Sequence, residues 1–268
     1  MVSRTGSSYD LQTILDSPKY MDPAKVIDRL ERYQRVLGNR GPWDRIDFNG
    51  RTVLEIGCGP LLGWAPVAIY LGCEKYVGVE PGADGSIARS EHVWAAYFKN
   101  VHRQLRAYYG ERMNLSEFRE RLLSATVFQQ PLEETDWDDE VFDIVLSNST
   151  LEHVFDIEPF FRTLASVSSD DTVHLHAVDF GNHLRKDSPF AGLYDAPRPE
   201  GHSHRGINLV KPSEFLELFR NVGIDIELVP YYSVEGLLDQ QIAPFWRRFE
   251  MEDLALKVGF FIRAGERE

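Results

Sequence analysis

The 268-residue sequence predicts an α/β protein with a mostly parallel sheet, and three observations predict it. Short apolar runs alternate with longer segments of helical spacing along the chain, the order expected of strands joined by crossover helices. No period repeats. The run Arg51-Thr52-Val53-Leu54-Glu55-Ile56-Gly57-Cys58-Gly59-Pro60 reads as a buried strand that breaks into a glycine turn. Val53, Leu54 and Ile56 make its apolar body, and Gly57 and Gly59 allow a tight bend with backbone N–H groups turned toward a ligand. Pro60 suits a first helical position, where its missing N–H loses nothing.

The elements follow in order. Ala24 to Leu37 has Val26, Ile27, Leu30, Tyr33 and Leu37 on one stripe, a helix stopped near Gly38 and Gly41-Pro42. With the residues before it, this helix makes an N-terminal helical segment over residues 1–45 that docks on the core through that stripe. After the first strand come an apolar segment, Leu61 to Leu71, and a second strand, Lys75 to Val79, ending at Glu80-Pro81. Ser86 to Tyr109 reads as one long helix. Leu115 to Ser124 is another, capped by Asn114 or Ser116. Thr126 to Gln129 is a short strand, and the acidic stretch Glu133 to Glu140 is a turn before a strand that starts at Val141. Ile157 to Ser168 is a helix and Thr172 to Phe180 a strand. Gly181 to Gly206 is irregular, with several prolines, a length that marks a functional or mobile loop. Lys211 to Val222 is a helix, capped by Ser213 or entered at Pro212, and Ile224 to Tyr232 and Leu254 to Ala264 are closing strands.

Spacing identifies the ligand class. A dinucleotide fingerprint needs G-x-G-x-x-G. The third glycine here is Gly63, one residue late, and Glu55 stands inside the motif, where it would repel a pyrophosphate. A carboxylate suits a ligand with an ammonium and a sulfonium. The pattern Glu55-x-Gly57-x-Gly59-x-x-x-Gly63 closely resembles the first motif of class I S-adenosylmethionine-dependent methyltransferases. Glu80, at the end of the second strand, resembles that family's ribose-binding acid. Val141-Phe142-Asp143-Ile144-Val145-Leu146-Ser147-Asn148-Ser149-Thr150-Leu151-Glu152-His153-Val154 resembles its fourth strand and following turn, in the form typical of the branch that methylates small molecules.

The resemblance implies a single methyltransferase domain over 1–268: a Rossmann-like, doubly wound, seven-stranded sheet with helices on both faces and an antiparallel last strand. It implies S-adenosylmethionine as cofactor, a small-molecule acceptor, and an N-terminal helical cap over residues 1–45 whose Tyr20, Tyr33 and Trp43 border the pocket. Ligands in such sheets lie beyond the carboxyl ends of the strands. The cofactor contacts expected there are Glu55, Gly57, Cys58, Gly59, Glu80, Pro81, Ser147 and Asn148. Gln130, Pro131 and Leu132 lie where the family often has an aspartate that reads the adenine, and Gln130 could accept from the amino group instead.

A hydroxyl acceptor needs a base within hydrogen-bond reach. His153, His176 and Asp179 are the candidates, with His183 near them. His174 shares a strand face with His176 and reads as a core histidine. A metal reading of His176-x-x-Asp179-x-x-x-His183, with His202 and His204, matches no known spacing, so no metal is assigned. Residues 181–210 form an insertion on the acceptor side, where Arg185, Lys186, Tyr194, Arg198 and Arg205 suit a hydroxylated or anionic molecule of sugar or secondary-metabolite type. Nothing excludes a side-chain nitrogen of a protein or peptide as acceptor. An oxidoreductase using a nicotinamide and a non-catalytic cofactor-binding protein are the rival readings.

The net charge of −13 disfavours nucleic acid, since such a surface repels phosphate backbones. Cys58 and Cys73 have no metal-type spacing and read as free thiols of a reducing cytosol. No signal-peptide core or membrane span is read, so the expected location is cytoplasmic. An apolar helix stripe can face a core or a twin, which leaves oligomeric state unreadable.

Overall fold

The computed structural model describes residues 9–38, 46–83, 85–185, 187–198, 206–234 and 242–263. Trp43, Lys186, His202, His204 and Arg205 lie outside them. Seven strands are present: β1 (Thr52–Ile56), β2 (Lys75–Val79), β3 (Thr126–Phe128), β4 (Ile144–Asn148), β5 (Val173–Asp179), β6 (Glu227–Ser233) and β7 (Leu256–Arg263). Their order in the sheet is β3-β2-β1-β4-β5-β7-β6. The expected α/β class and antiparallel final strand are both found: β1, β2 and β3 pair in parallel, and β7 runs antiparallel to β5 and β6. The chain divides into two compact units, residues 1–138 with 142–146, and residues 139–141 with 147–268.

In the first unit, the strand bodies are buried because each carries apolar residues on both faces: Val53, Leu54 and Ile56 in β1, Tyr76, Val77 and Val79 in β2. The start of β4 is tied to β1 by Asp143, whose carboxylate accepts from Thr52 N at 2.7 Å and Thr52 Oγ1 at 2.8 Å. The helix Ala24–Gly38 docks through its predicted stripe, and Tyr33 meets Trp64 edge to face at 5.0 Å. Three expectations are corrected here. The helix after β1 begins at Ala65, with Pro66 in its first turn. Pro60 instead lies in the turn, since Leu62 and Gly63 both have positive φ (61° and 41°) and cannot continue a right-handed helix. The single helix expected from Ser86 to Tyr109 is broken at an extended Ser90 and contains a π-helical segment, Trp94–Phe98. The fourth strand starts at Ile144, not Val141, whose side chain is exposed. Asn114 is the cap of the helix Leu115–Leu123, accepting from Glu117 N at 2.9 Å.

In the second unit, β5 and β7 pair from His174↔Arg263 to Asp179↔Val258. Helices Ile157–Ser166 and Pro212–Asn221 contribute Phe161 and Phe219, whose rings meet edge to face at 4.8 Å. Pro212 opens its helix, and Glu214 accepts from Lys211 N. The described part of the 181–210 insertion is not a loose loop. Phe190, Leu193, Tyr194, Ile207 and Leu209 are buried with Trp246 and Leu254 in a core of their own.

Candidate active site

In the first unit, the turn after β1 is built around β2 and its terminal acid. Gly57 N and Cys58 N both donate to Val79 O, at 2.7 and 3.4 Å, which carries the β1–β2 pairing into the bend. Gly57 and Gly59 have φ of 75° and 66°, conformations that a side chain would strain. Gly59 N donates to Glu80 Oε2 at 2.9 Å, and Gly82 N donates to Oε1 at 3.1 Å. Glu80 therefore cross-braces two turns and retains lone pairs on both oxygens. A Cβ placed on Gly59 would meet nothing within 4 Å, so the backbone there faces open space. The side chain of Cys58 turns away and is buried against Gly78, whose missing Cβ makes room for the sulfur.

Glu55 has a different place. It is 1% exposed, and its Oε2 accepts from Trp64 N at 2.6 Å and from Tyr76 Oη at 2.5 Å. The carboxylate thus ends the turn from inside, opposite a glycine: a Cβ on Gly63 would fall 2.1 Å from Glu55 Oε1. Burial pushes its carboxyl up to about 7, against the pull of Arg29 and the two hydrogen bonds. Of the other residues expected at the cofactor, Pro81 and Gln130 are exposed, and Pro131 and Leu132 turn their carbonyls to Thr135 Oγ1 and Trp137 Nε1.

In the second unit, a cluster forms where β5 ends. Asp179 Oδ2 lies 3.1 Å from Lys257 Nζ on β7, and its Oδ1 accepts from Gly181 N at 2.9 Å. Glu152 is 2% exposed; its Oε1 accepts from Asp179 N at 3.2 Å. Burial holds the Glu152 carboxyl up at about 8, and the nearby Asp179 adds to the rise. His183 Nε2 is 3.9 Å from Glu152 Oε1 and 4.0 Å from Asp179 Oδ2. His153 stands beside His183, ring centroids 5.0 Å apart, and its Nδ1 is 2.7 Å from Gly206 O. A carbonyl can only accept, so Nδ1 carries a proton, and in the neutral ring the lone pair is therefore on Nε2. The turn Leu151–His153 is clamped by Asn208, whose Nδ2 donates to Leu151 O and Val154 O and whose N donates to Glu152 O.

His176 is not part of this cluster. It is fully buried, with Nδ1 2.9 Å from Ser147 Oγ and Nε2 3.3 Å from His174 Nδ1, and burial depresses its pKa to about 3. The structure gives it a core place beside Phe219 rather than an open nitrogen. Ser147 is fully buried with it, and Asn148 is part-exposed. Glu152, Lys257 and Asn208 escaped sequence reasoning. Glu152 was visible in the L-E-H-V run, but Lys257 reaches Asp179 only through the β5–β7 register, which no local pattern carries.

The chain matches the model of the methyltransferase domain family over residues 24–229, more than half its length. A search of the curated proteins finds no match. Among solved structures it is similar to the protein described as a methyltransferase in complex with the Trm112 methyltransferase activator of Haloferax volcanii. That likeness has 14% identity and a TM-score of 0.50, covering 98% of this chain and 100% of that one. It is also similar to a phosphoethanolamine N-methyltransferase 2 of Haemonchus contortus in complex with S-adenosyl-L-methionine (15% identity, TM-score 0.48, 96% of this chain and 60% of that one). An S-adenosylmethionine-dependent methyltransferase of Mesorhizobium loti is similar at 14% identity and a TM-score of 0.43, covering 94% and 98%. Identities this low speak to the fold alone. The chain belongs to the methyltransferase domain family and is an enzyme of that kind, with S-adenosylmethionine as its cofactor.

Proposed function

We propose that the protein transfers a methyl group to a hydroxyl oxygen of a small molecule of sugar or secondary-metabolite type. The observation that carries the donor half of the reading is Glu80, half-open at the end of β2 and held by the two turns that flank it. The residues of the first unit fit the cofactor. Glu80 has lone pairs for two ribose hydroxyls, and the backbone at Gly59 opens on space rather than on side chains. They do not suit a pyrophosphate, because the N–H of Gly59 already serves a carboxylate and those of Gly57 and Cys58 a carbonyl. Glu55 supports binding from inside the turn, by accepting from Trp64 N in the room that Gly63 leaves.

When bound, S-adenosylmethionine supplies an activated methyl on a good leaving group, so the protein's work is to position the acceptor and relieve it of a proton. His153 and Asp179 receive the hydroxyl in this reading. Gly206 O holds His153 in the tautomer with a free Nε2, and Lys257 and Gly181 fix the Asp179 carboxylate. His176 has no such role, its two nitrogens being turned to Ser147 and His174.

Isothermal titration with S-adenosylhomocysteine tests the donor side. The wild type should bind it and show no response to NADH. Glu80→Ala should bind at least about tenfold more weakly, since a charge-assisted hydrogen bond is worth about 1.5–3 kcal/mol. Unchanged affinity would remove Glu80 from the site.

A further inference from the structure

The acceptor-side cluster has a feature that methyl transfer alone does not use. Glu152 is 2% exposed, and while its Oε1 is bound to Asp179 N, its Oε2 is buried with no hydrogen-bond partner among the described residues. A buried polar atom left unmatched costs about 1–3 kcal/mol, more for a charged group, so its retention needs a reason. One donor atom from each of Glu152, His153 and His183 lies within 4.8 Å of the others. The contacts of His183 Nε2 with Glu152 and Asp179, at 3.9 and 4.0 Å, are too long for hydrogen bonds. The 3.9 Å between His183 Nε2 and Glu152 Oε1 fits two donors about 2.0–2.2 Å from a common centre, which can stand at most about 4.4 Å apart.

The outer contacts agree. A metal-bound histidine usually gives its other ring N–H to a carbonyl or carboxylate, which fixes the tautomer and aims the lone pair. His153 does this through Gly206 O at 2.7 Å. The Glu152 oxygen that is not orphaned is held by Asp179 N, and Asn208 clamps the turn that carries both Glu152 and His153. Lys257 is paired with Asp179 rather than with Glu152, so the cation already present does not answer the orphaned oxygen.

We propose that Glu152, His153 and His183 bind one divalent transition-metal ion. Two imidazoles and one carboxylate favour zinc, cobalt, nickel, iron or manganese over magnesium or calcium, which prefer all-oxygen sets. Three protein donors leave positions open for an exogenous oxygen. The role of the ion rests on the hydroxyl-acceptor reading above. An acceptor oxygen bound there is polarised and its proton made more acidic. With the lone pair of His153 committed to the ion, Asp179 is the remaining group to take that proton.

Cobalt(II) tests the site without any assay of turnover. Titrated into the metal-free full chain, it should bind at a stoichiometry of one and give visible d–d bands of a nitrogen- and oxygen-ligated ion. Glu152→Gln keeps the carbonyl oxygen that Asp179 N needs, and His183→Ala removes a side chain that is 30% exposed, so both should fold, as circular dichroism would verify. Each should weaken cobalt at least about a hundredfold, since even outer-contact losses cost 10–100-fold. No saturable binding to the wild type, or affinities in both variants within about twofold of it, would overturn the site. S-adenosylhomocysteine titrated into the same protein in EDTA reads the donor side independently. Its failure to bind would count against the methyltransferase reading and leave the cobalt result standing.

Discussion

Gly63 sits so close to Glu55 that a methyl group there would collide with Oε1, and its φ of 41° is already one that side chains avoid. The carboxylate cannot swing aside, being held by Trp64 N and Tyr76 Oη in a buried site. Gly63→Ala should therefore destabilise the fold by at least about 2 kcal/mol, read as a lower urea midpoint at unchanged m-value. Glu55 also leaves a mark on pH dependence. Its carboxyl is raised to about 7 in the folded state, against 4.5 ordinarily. The folded protein then holds a proton that the unfolded chain gives up. Its contribution is full below the ordinary value, falls as pH rises, and is gone above about 7. Glu55→Gln cannot ionise and should flatten that decline between about pH 5 and about 8, measured by urea unfolding. The sequence announced an acid in the loop. It did not reveal which way the acid pointed, because a strand buried on both faces gives no polar alternation to read.

At the scale of elements, the strands and most helices were legible from apolar runs, caps and prolines. Failures came where a backbone conformation, not composition, decided the outcome. Pro60 looked like a helix start until Leu62 and Gly63 took left-handed angles, and Ser90 broke a helix whose apolar periodicity runs through it. The 181–210 segment misled in the other direction. Its prolines and glycines read as a loop, yet its Tyr194 packs with Trp246 around Lys211, which lies 4.6 Å from the Tyr194 ring centre and 5.2 Å from that of Trp246. Lys211 Nζ donates to Tyr194 Oη at 3.0 Å. Burial, helped by the positive Arg198, lowers its pKa to about 7 from 10.5. Here the unfolded chain binds the extra proton, so the folded state gains stability as pH rises from about 7 toward 10.5. Lys211→Met should abolish that gain. At neutral pH it should be stabilising by about 1–2 kcal/mol, because it removes a buried amine while Tyr194 Oη keeps Leu254 O as acceptor. A clear loss of stability in this variant would mean that the amine, not the packing, holds the aromatic core together.

For the whole molecule, the two compact units carry different chemistry: a glycine turn braced by acids in the first, and an imidazole–carboxylate cluster in the second. The first was largely legible because a binding loop is local, written within about ten residues of chain. The second was only partly so. His153, Asp179 and His183 could be named from their strand ends, but the partners that define them come from Lys257 and from Gly206 and Asn208, far away in sequence. Ligands should separate the two units by hydrogen exchange. A ligand that binds only the folded protein adds about 2.7 kcal/mol of stability at a hundredfold excess over its Kd. S-adenosylhomocysteine should slow exchange most in residues 52–83, the strands and turns around Glu80. Cobalt(II) should slow it most in residues 151–154, 179–183 and 206–210, which carry or clamp the three donors. Mass spectrometry of peptic fragments resolves these segments. Protection by S-adenosylhomocysteine confined to residues 147–263 would remove the methyl donor from the β1–β2 turns, whereas coincident protection maps would show that exchange reports tightening of the entire fold and not the place of either ligand.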